Sequence, residues 1–308
     1  MGRILVLGSV NMDLVVRGPQ LPLPGETVLG GRFLKSLGGK GANQAVAAAR
    51  LGNHEVFFIG AVGDDDFGEA AQNGLRKESI QLSHLSVVPS GSTGVAVIMV
   101  DQAGENCISV ASGANLEISA ETIDCLPDQL FQEATVCLAC LESPLDAVDA
   151  FLRRGRDCGA ITILNPAPVP VDGLQRLHAC LPVVDLVTPN QREAISLAVN
   201  GADNSIDSAK AILELGVKAV IVTQGSAGCL LATNSKQTSI PGHVVPVVDT
   251  TAAGDAFNGA LAVRLAKGDA IDAAVGWANR AAALSVMRPG AQSSLPTLAE
   301  ISEEFPDG

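Results

Sequence analysis

Alternation of strand-like and helix-like segments constrains the fold of this chain most strongly. From Thr135 onward, apolar runs such as TVCLACLE, AITILNPA and DLVTPN are each followed by a segment with helical periodicity. Parallel strands need a crossover connection, usually a helix, so this alternation is typical of a parallel sheet with helices on both faces. We therefore predict an α/β fold with a doubly wound, mostly parallel sheet, whose ligands bind at the carboxyl ends of the strands.

Two segments without helical periodicity, roughly 11–36 and 85–111, interrupt this alternation. They consist of short extended runs separated by turns that contain Gly or Pro. We predict that they form a small antiparallel β lid inserted into a single domain of residues 1–308. The run GVAVIMVD is apolar at consecutive positions, which indicates that both faces of the lid are covered. One cover would be the substrate, and the other would be the lid of a second subunit in a homodimer.

Composition excludes several classes of function. The chain has 308 residues, 47% hydrophobic content and a formal net charge of −13. It can therefore bury a large core, and it has no basic cluster suited to nucleic acid or to an anionic membrane. The N-terminal apolar run soon meets Asn11 and Asp13, which fits neither a signal peptide nor a membrane span. The seven cysteines are scattered through apolar segments, as reduced thiols are. We expect a cytoplasmic protein with a small-molecule partner.

The stretch from Asp249 to Ala260, DTTAAGDAFNGA, is the strongest candidate for chemistry. It follows the Val-rich run 244–248 and precedes an Ala-rich helical pattern, which predicts a strand-to-helix junction. Amides at a helix start have no intrahelical partner, so the backbone at 252–254 is a candidate anion hole. Asp255 beside it could orient a hydroxyl for phosphoryl transfer, or it could simply be the helix N-cap. This stretch alone leaves both interpretations open.

Polar residues follow several of the predicted strands. Each has a plain structural interpretation: a turn-forming Asn, a solvated carboxylate, or Asn190 as a helix N-cap whose capping-box partner is Glu193. Their shared position favours a site, because the carboxyl ends of parallel strands meet at one edge of the sheet. The residues concerned are Asn11, Asp13, Glu142, Asn165, Asn190 and Glu193.

Two glycine-containing loops are further candidates. Lys40, in GGKGANQ, could clamp a substrate hydroxyl or a phosphate. It is not a Walker A lysine, because the pattern G-x-x-x-x-G-K-[ST] does not occur in this chain. The turn TQGSAG, from Thr223 to Gly228, could receive the phosphates and ribose of a nucleotide, or it could be only a hairpin turn.

Together these motifs resemble the ribokinase/PfkB-type carbohydrate kinase family along nearly the whole chain. The two family signatures stand here as GGKGANQAVAAARLG (38–52) and DTTAAGDAFNGA (249–260), with GSVNMD, LNPAP, TPNQREA and RPGAQSS around them. The resemblance implies in-line transfer of a phosphoryl group from ATP to the 5-hydroxyl of D-ribose, with Asp255 as the base and 252–254 as the anion hole. The alternatives are a family kinase for deoxyribose, a nucleoside or another sugar. A non-enzymatic sugar sensor would need loss of Asp255 or Gly254, and neither is lost.

The resemblance also implies three sets of ligand-binding residues. The sugar would be bound by Asn11, Asp13, Gly39, Lys40, Gly41, Asn43, Glu142 and Asp255. ATP would be bound by Asn190, Glu193, Thr223, Gln224, Gly225, Ser226, Gly228, Gly254 and Asn279. Glu193 would serve the region of Mg²⁺ and the phosphates, and Asn279 stands where related enzymes can carry His. A monovalent cation, K⁺, would be held by Asp249, Thr251, Ser285, Arg288, Gly290 and Ser294, several of them through backbone oxygens.

Two details of the second signature carry structural expectations. Many family members have Gly where this chain has Ala252, and Ala fits there if the residue has a negative φ. The helix N-terminus is expected to lower the pKa of Asp255, which would make it a weaker base.

Overall fold

One nine-stranded sheet forms the centre of the fold. The computed structural model describes residues 2–198 and 201–306. From one edge to the other, the strands are β13 (Gln237–Ile240), β12 (Cys229–Thr233), β11 (Ala219–Thr223), β10 (Leu186–Val187), β9 (Ile161–Asn165), β8 (Ala134–Cys140), β1 (Arg3–Leu7), β4 (Glu55–Gly63) and β5 (Gln81–Val88). Neighbours from β11 to β5 run parallel, whereas β12 and β13 are antiparallel. The predicted mostly parallel sheet is confirmed.

Helices cover both faces of this sheet. They are α1 (Lys40–Leu51), α2 (Asp66–Lys77), α3 (Ala120–Asp124), α4 (Asp128–Gln132), α5 (Leu145–Asp157), α6 (Leu174–Cys180), α7 (Gln191–Leu197), α8 (Ser205–Glu214), α9 (Ala253–Ala266), α10 (Ile271–Ser285) and α11 (Leu298–Glu304). None of these described helices is long and apolar enough to cross a membrane.

The central strand β1 shows why two layers of helices are needed. Successive side chains of a strand point to opposite faces. Ile4 and Val6 lie in one buried cluster with residues of α1, α2, α9 and α10. Leu5 and Leu7 lie in the other cluster, with residues of α5 to α8. An uninterrupted apolar run therefore reads as a strand that is buried on both faces.

The lid is a separate four-stranded sheet, in the order β3 (Arg32–Gly38), β2 (Asn11–Arg17), β6 (Gly94–Val100) and β7 (Asn106–Ala111). Two of its pairings are antiparallel, and β2 runs parallel to β6. Residues 85–88, expected in the lid, lie instead in β5, where they pair with β4 of the large sheet. The physical reason is that α2 is the crossover helix between these two parallel strands. The second lid segment therefore begins at Gly94.

The Val-rich run 244–248 is not a strand. The backbone from 241 to 250 is irregular, and Val244 is 98% exposed. Pro241 and Pro246 lack the N–H group that a ladder requires, which explains why this run does not join the sheet. The amide of Val248 donates to the carbonyl of Val286 at 2.8 Å and so anchors the segment. The predicted strand-to-helix junction is wrong: α9 is entered from a loop.

Close approach of α1 and α9 depends on small residues. A Cβ atom on Gly259 would lie 2.5 Å from Cβ of Ala47 and 2.7 Å from the carbonyl oxygen of Gln44. A Cβ atom on Gly41 would lie 2.5 Å from the backbone of Gly8, at the end of β1. Both glycines therefore allow backbones to approach more closely than any side chain would permit.

We expect Gly259→Ala to destabilise the fold by about 1–3 kcal/mol, because the added methyl group must force α1 and α9 apart. The matched control is Gly276→Ala on α10, where the new Cβ meets no atom within 4 Å. That change should stabilise the protein by up to about 1 kcal/mol through helix propensity. Urea unfolding measures both, and equal effects of the two changes would contradict the close packing of α1 on α9.

Candidate active site

The candidate site lies where the order of the large sheet reverses. From β1 the chain continues to β4 and β5 on one side, and it later returns to add β8 and β9 on the other. In such sheets the loops at the carboxyl ends of the two central strands diverge and leave a crevice. Ser9 follows β1 and Glu142 follows β8. The starts of α1 and α9 complete the crevice, because Lys40 of α1 bonds Glu142 and Asn43 of α1 bonds Asp255 of α9.

Asp255 lies in the first turn of α9, and its carboxylate is directed to α1. Asp255 is 6% exposed. Its carboxylate accepts hydrogen bonds from Nδ2 of Asn43 at 2.9 Å and from Nε2 of Gln44 at 3.1 Å. The N-cap position belongs to Ala252, which makes no side-chain cap bond. The N-cap interpretation of Asp255 is therefore wrong: its carboxylate bonds to α1 and not to the start of its own helix.

Burial dominates the electrostatics of Asp255. Removal from water raises the pKa of its carboxyl to about 6, although Lys40, Asn43 and Gln44 act in the opposite direction. The expected lowering by the helix N-terminus is wrong, because desolvation of the charged form is the larger effect here. A carboxylate with a pKa near 6 is a stronger base than an ordinary aspartate and is still mostly ionised at neutral pH.

The backbone at the start of α9 fits an anion. The first helix-closing bond runs from the amide of Ala256 to the carbonyl of Ala252 at 2.8 Å, so the amides of Gly254 and Asp255 precede it. A Cβ atom on Gly254 would meet no atom within 4 Å, which leaves open space beside this amide. The amide of Ala253 lies 3.3 Å from the carbonyl of Thr250 and is partly engaged. The amide of Gly254 therefore lacks an intrahelical partner and lies beside open space.

Ala252 has φ of 61° and lies in the left-handed region. The expectation of a negative φ is wrong. An L-residue in this conformation costs about 1–2 kcal/mol relative to its right-handed form. The surrounding structure holds this turn in place, since the amide of Thr251 and the carbonyl of Ala252 are both hydrogen bonded.

Lys40 and Glu142 face each other across the crevice. Glu142 accepts hydrogen bonds from the backbone amide of Lys40 at 3.1 Å and from the hydroxyl of Ser9, and its Oε1 lies 3.9 Å from Nζ of Lys40. Gly39, with φ of 90°, places this loop against β1: a Cβ atom there would lie 2.7 Å from the carbonyl oxygen of Ser9. Burial lowers the pKa of Lys40, but the carboxylates of Asp255 and Glu142 outweigh it and raise the pKa above its ordinary value. Lys40 therefore stays charged.

The lid contributes Asn11 and Asp13. Burial, with Glu142 and Asp255 nearby, raises the pKa of Asp13 to about 7, although Lys40 acts to lower it. The side chain of Asn11 accepts a hydrogen bond from Nδ2 of Asn115 at 2.9 Å. Sequence reasoning did not single out Asn115, although it belongs to the segment GENCISVASGAN; it also bonds both backbone groups of Val10. Three carboxylates around one ammonium group suit a neutral ligand whose hydroxyls donate hydrogen bonds.

A cavity of about 780 Å³ extends from Asp13 under the lid to the loops 247–251 and 289–293. Its lid side carries apolar side chains, among them Val15, Leu34 and Ile98. Polar residues line it on the lid side, as Asp13 does, and on the loop side, as Asp249 and Thr251 do. The combination of apolar walls and a small number of polar groups is typical of a small-molecule site.

The residues expected on the nucleotide side lie at the ends of β10 and β11. Asn190 and Glu193 form a capping box, with bonds of 2.9 Å and 2.8 Å, as the structural interpretation of these residues predicts. The backbones of Asn190 and Thr223 form an isolated parallel β-bridge. The turn from Gln224 to Gly228 joins the antiparallel strands β11 and β12, so it is a hairpin turn in structure. Its residues Gly225 and Ser226 are exposed and remain accessible to a ligand.

Asn279 is buried on α10 and donates to the carbonyl of Pro241 at 3.2 Å. A Cβ atom on Gly228 would come within 2.5 Å of the backbone of Pro241. Asn279 therefore fixes the loop that packs on the hairpin turn.

The residues expected around a monovalent cation are partly brought together. The carboxylate of Asp249 accepts from the amide and hydroxyl of Thr251 at 3.0 Å and 2.6 Å, and from the amide of Gly290 at 3.0 Å. Burial raises the pKa of Asp249, but these bonds and Arg17 outweigh it and hold the pKa below its usual value. The guanidinium of Arg288 instead pairs with Glu300 at 2.6 Å, so only its backbone could serve a cation.

Ser285 and Ser294 are fully buried, and each donates its hydroxyl to a nearby carbonyl at 2.8 Å, of Ala282 and Ala291 respectively. The oxygen-rich character of the whole set fits a hard cation. Among residues 2–198 and 201–306, no group of three or more His, Cys, Asp or Glu side chains is arranged to hold a metal ion.

Relatives of known activity resemble this chain along its whole length. A ribokinase of Haemophilus influenzae is 38% identical over 303 residues, which cover 97% of each chain. A ribokinase of Bacillus subtilis is 40% identical over 305 residues, which cover 98% of this chain and 99% of the relative. A deoxyribokinase of Salmonella typhi is 35% identical over 303 residues, which cover 97% of each chain.

Solved structures share the fold and the sequence pattern. The ribokinase of Thermotoga maritima superposes with a TM-score of 0.91 at 35% identity, over 100% of both chains. An Arabidopsis thaliana ribokinase complexed with ribose and ATP gives a TM-score of 0.85 at 28% identity, over 98% of both chains. The family model for pfkB family carbohydrate kinases matches residues 1–298. This chain belongs to the pfkB family of carbohydrate kinases.

Proposed function

We propose that this protein transfers the γ-phosphoryl group of ATP to the 5-hydroxyl of D-ribose, giving D-ribose 5-phosphate and ADP. The observation that carries the proposal is the buried carboxylate of Asp255 beside the open space at the amide of Gly254. The similarity to ribokinases, one of them solved with ribose and ATP, supports the choice of both substrates.

Asp255 acts as the base in this proposal. Its carboxylate accepts the proton of the 5-hydroxyl as the oxygen attacks the γ-phosphorus and the bond to the ADP oxygen breaks. Its pKa of about 6 leaves it ionised at neutral pH. Because the transition state of phosphoryl transfer is loose, orientation of the hydroxyl by Asp255 contributes as well as proton transfer.

The remaining sugar hydroxyls would bind between the lid and α1. Asp13, Glu142 and Asn11 offer acceptors, and Lys40 with Asn43 offers donors. Gly39 and Gly41 bring the α1 loop close enough for its backbone to contact the sugar. Glu142 is held by Ser9 and by the amide of Lys40, so it reaches a hydroxyl with little loss of side-chain entropy.

The amide of Gly254, with Ala252 and Ala253 beside it, would stabilise charge on the transferring phosphoryl group. ATP would lie over the ends of β10 and β11, against Asn190, Thr223 and the turn from Gln224 through Gly225 and Ser226 to Gly228. Mg²⁺ supplies charge neutralisation on the phosphates when it is bound. Glu193 would face that region with one free carboxylate oxygen, since Oε2 is held by the amide of Asn190.

A monovalent cation, K⁺, would stabilise the turn that leads into the anion hole at 252–254. Asp249 binds Thr251, and Thr251 immediately precedes Ala252 of the anion hole. A cation held by Asp249, Thr251, Ser285, Arg288, Gly290 and Ser294, several of them through backbone oxygens, would thus act by shaping the anion hole and not by touching the sugar.

Cytoplasmic location remains a prediction from the composition.

The substrate is tested by ADP release with a panel of acceptors. We expect turnover with ribose to exceed turnover with deoxyribose, fructose and adenosine, and potassium to raise it. The similarity to a deoxyribokinase makes deoxyribose the second candidate, so it is the decisive comparison. A coupled assay of ADP with each acceptor, with and without potassium, gives the result. Faster turnover of deoxyribose or adenosine would contradict the choice of ribose, and indifference to potassium would contradict the cation site.

The base is tested by Asp255→Asn. We expect turnover to fall by about 10²–10⁴-fold, the scale of general-base loss, with KM for ATP nearly unchanged. In the unaltered protein, kcat/KM should fall as pH drops through about 6, because a carboxyl with that pKa must be ionised to accept the proton. The exposed Asp272, paired with Lys236, provides the matched control Asp272→Asn, which should leave both properties unchanged. Near-normal turnover of Asp255→Asn would contradict the assignment.

Homodimer formation would cover the outer face of the lid. Strand registers place Val16, Phe33 and Val97 on one face of this sheet, and they are 40%, 63% and 43% exposed. The face towards the cavity carries Ile108 and Val110, which are also half exposed. Apolar sheet faces left in water tend to associate, so the lid of a second copy is the proposed occupant.

We expect the protein to sediment as a dimer at micromolar concentration and Phe33→Asp to shift it to the monomer, because a charge would be buried in the contact. The control is Val171→Asp, at a position that is 98% exposed and outside the lid. A monomer in the unaltered protein, or equal effects of the two variants, would contradict dimerisation through the lid.

A further inference from the structure

Gln44 on α1 is fully buried and donates a hydrogen bond to the candidate base, Asp255. Its Nε2 atom is 3.1 Å from Oδ1 of Asp255 and 3.1 Å from Oδ1 of Asn165. An amide nitrogen carries two hydrogens, and both are used here, one for each acceptor. The opposite orientation of the amide would set its oxygen against two acceptor atoms, so the network admits a single orientation.

The hydrogen bonds continue through the core and return to α9. Asn165, at the end of β9, donates to the carbonyl of Thr188 at 3.1 Å. The hydroxyl of Thr188 donates to Oδ1 of Asn258 at 2.6 Å, and Nδ2 of Asn258 donates to the carbonyl of Gly254 at 2.8 Å. The chain of bonds thus starts at the carboxylate of Asp255 and ends at the peptide that precedes it. Asp255 and the peptide that joins Gly254 to Asp255 are held by one buried network.

We propose that Gln44 is a positioning residue that fixes the orientation of the Asp255 carboxylate for the transfer reaction. This inference rests on the proposed function, in which Asp255 is the base. Gln44 has no exposed surface and so cannot contact the sugar itself. Its neighbour Asn43 differs in this respect, because it bonds the other carboxylate oxygen and belongs to the residues expected to bind the sugar.

A purely structural role does not account for Gln44. Its carbonyl oxygen is buried and has no hydrogen-bond partner among the described residues. An unpaired buried oxygen destabilises the fold, so an apolar side chain of similar shape would serve packing better. What the glutamine adds is a donor aimed at Asp255 whose second hydrogen is anchored on Asn165.

Besides the neutral Gln44, several titratable groups face the Asp255 carboxylate. Lys40 comes from α1, Glu142 follows β8, Asp13 comes from the lid, and the thiol of Cys140 lies at the end of β8. Lys40 stabilises the ionised form, as the bond from Gln44 does, whereas Glu142 and Asp13 oppose it. Removal of the Gln44 bond leaves these other groups in place, so its effect on Asp255 has a definite sign: the pKa of the carboxyl rises.

The test is Gln44→Met, which keeps the length of the side chain and removes both donors. We expect kcat to fall by about tenfold to a hundredfold and the acid limb of the pH profile to move up by about one pH unit, the scale of a lost hydrogen bond to a charged group. KM for the sugar should stay nearly unchanged. The matched control is Val46→Ala, fully buried on the same helix: it should lower the melting temperature and leave the pH profile in place.

A second variant, Asn165→Leu, removes the oxygen atom to which Gln44 donates its second hydrogen. Gln44 can still donate to Asp255 in this variant. The variant should shift kcat and the acid limb in the same direction by a smaller amount. The pKa of Asp255 is also read directly by carbon NMR titration of protein labelled at aspartate, with Asp255→Asn to assign the signal. A pKa that is higher in Gln44→Met supports the proposal even if the sugar panel fails. An unmoved pKa together with an unmoved acid limb in both variants would overturn it.

Discussion

The contact between the start of α9 and the first turns of α1 is the interaction on which the rest of the site depends. It places the carboxylate of Asp255 against the amides of Asn43 and Gln44, away from water. That burial raises the pKa of Asp255 to about 6, while Lys40 and the two amides act to lower it, so the carboxylate is still mostly ionised at neutral pH. The same contact requires Gly259 on α9, because any side chain there would strike Gln44 and Ala47 of α1. The packing of α1 against α9 and the pKa of Asp255 are therefore set by the same few residues.

Electrostatic balance around Lys40 explains why a neutral, hydroxyl-rich ligand suits the crevice. Asp13, Glu142 and Asp255 surround a single ammonium group, and the pKa values of Asp13 and Asp255 are both raised. Donation by sugar hydroxyls relieves this excess of acceptors without adding charge. In the proposed reaction the anionic phosphates of ATP would instead meet the amide of Gly254, where an added Cβ atom would find open space. The proposed division between the two substrates rests on this placement of carboxylates and amides.

Much of the fold follows from local pattern in the sequence. The alternation of apolar runs and helical periodicity correctly predicts a mostly parallel sheet covered by helices, and the pair Asn190 and Glu193 forms the capping box that its spacing allows. Two errors have tertiary causes: residues 85–88 join the large sheet because α2 returns the chain to β4, and the φ of Ala252 is set by the turn that leads into α9. The third error has a local cause, because Pro241 and Pro246 keep the Val-rich run 244–248 outside the sheet.

The candidate site was less accessible to sequence reasoning than the fold. The two signatures pointed to Asp255, Lys40 and Asn43, but the direction of the Asp255 pKa depends on how deeply the fold buries it. Gln44 and Asn165 are separated by 121 residues, and Gln44 and Asp255 by 211, so no local pattern could join them. In the sequence alone, Asn165 is only a polar residue at a strand end. Its hydrogen bond with Gln44 exists because the fold brings α1 next to the end of β9.

The most direct measurement is a crystal structure of the protein with ribose and a non-hydrolysable ATP analogue. The account predicts that the 5-hydroxyl oxygen lies about 2.6–3.2 Å from a carboxylate oxygen of Asp255, within hydrogen-bond reach of its base. It also predicts that the terminal phosphate lies at the amide of Gly254. A complex in which the 5-hydroxyl contacts Asp13 or Glu142 instead, with Asp255 out of reach, would contradict it.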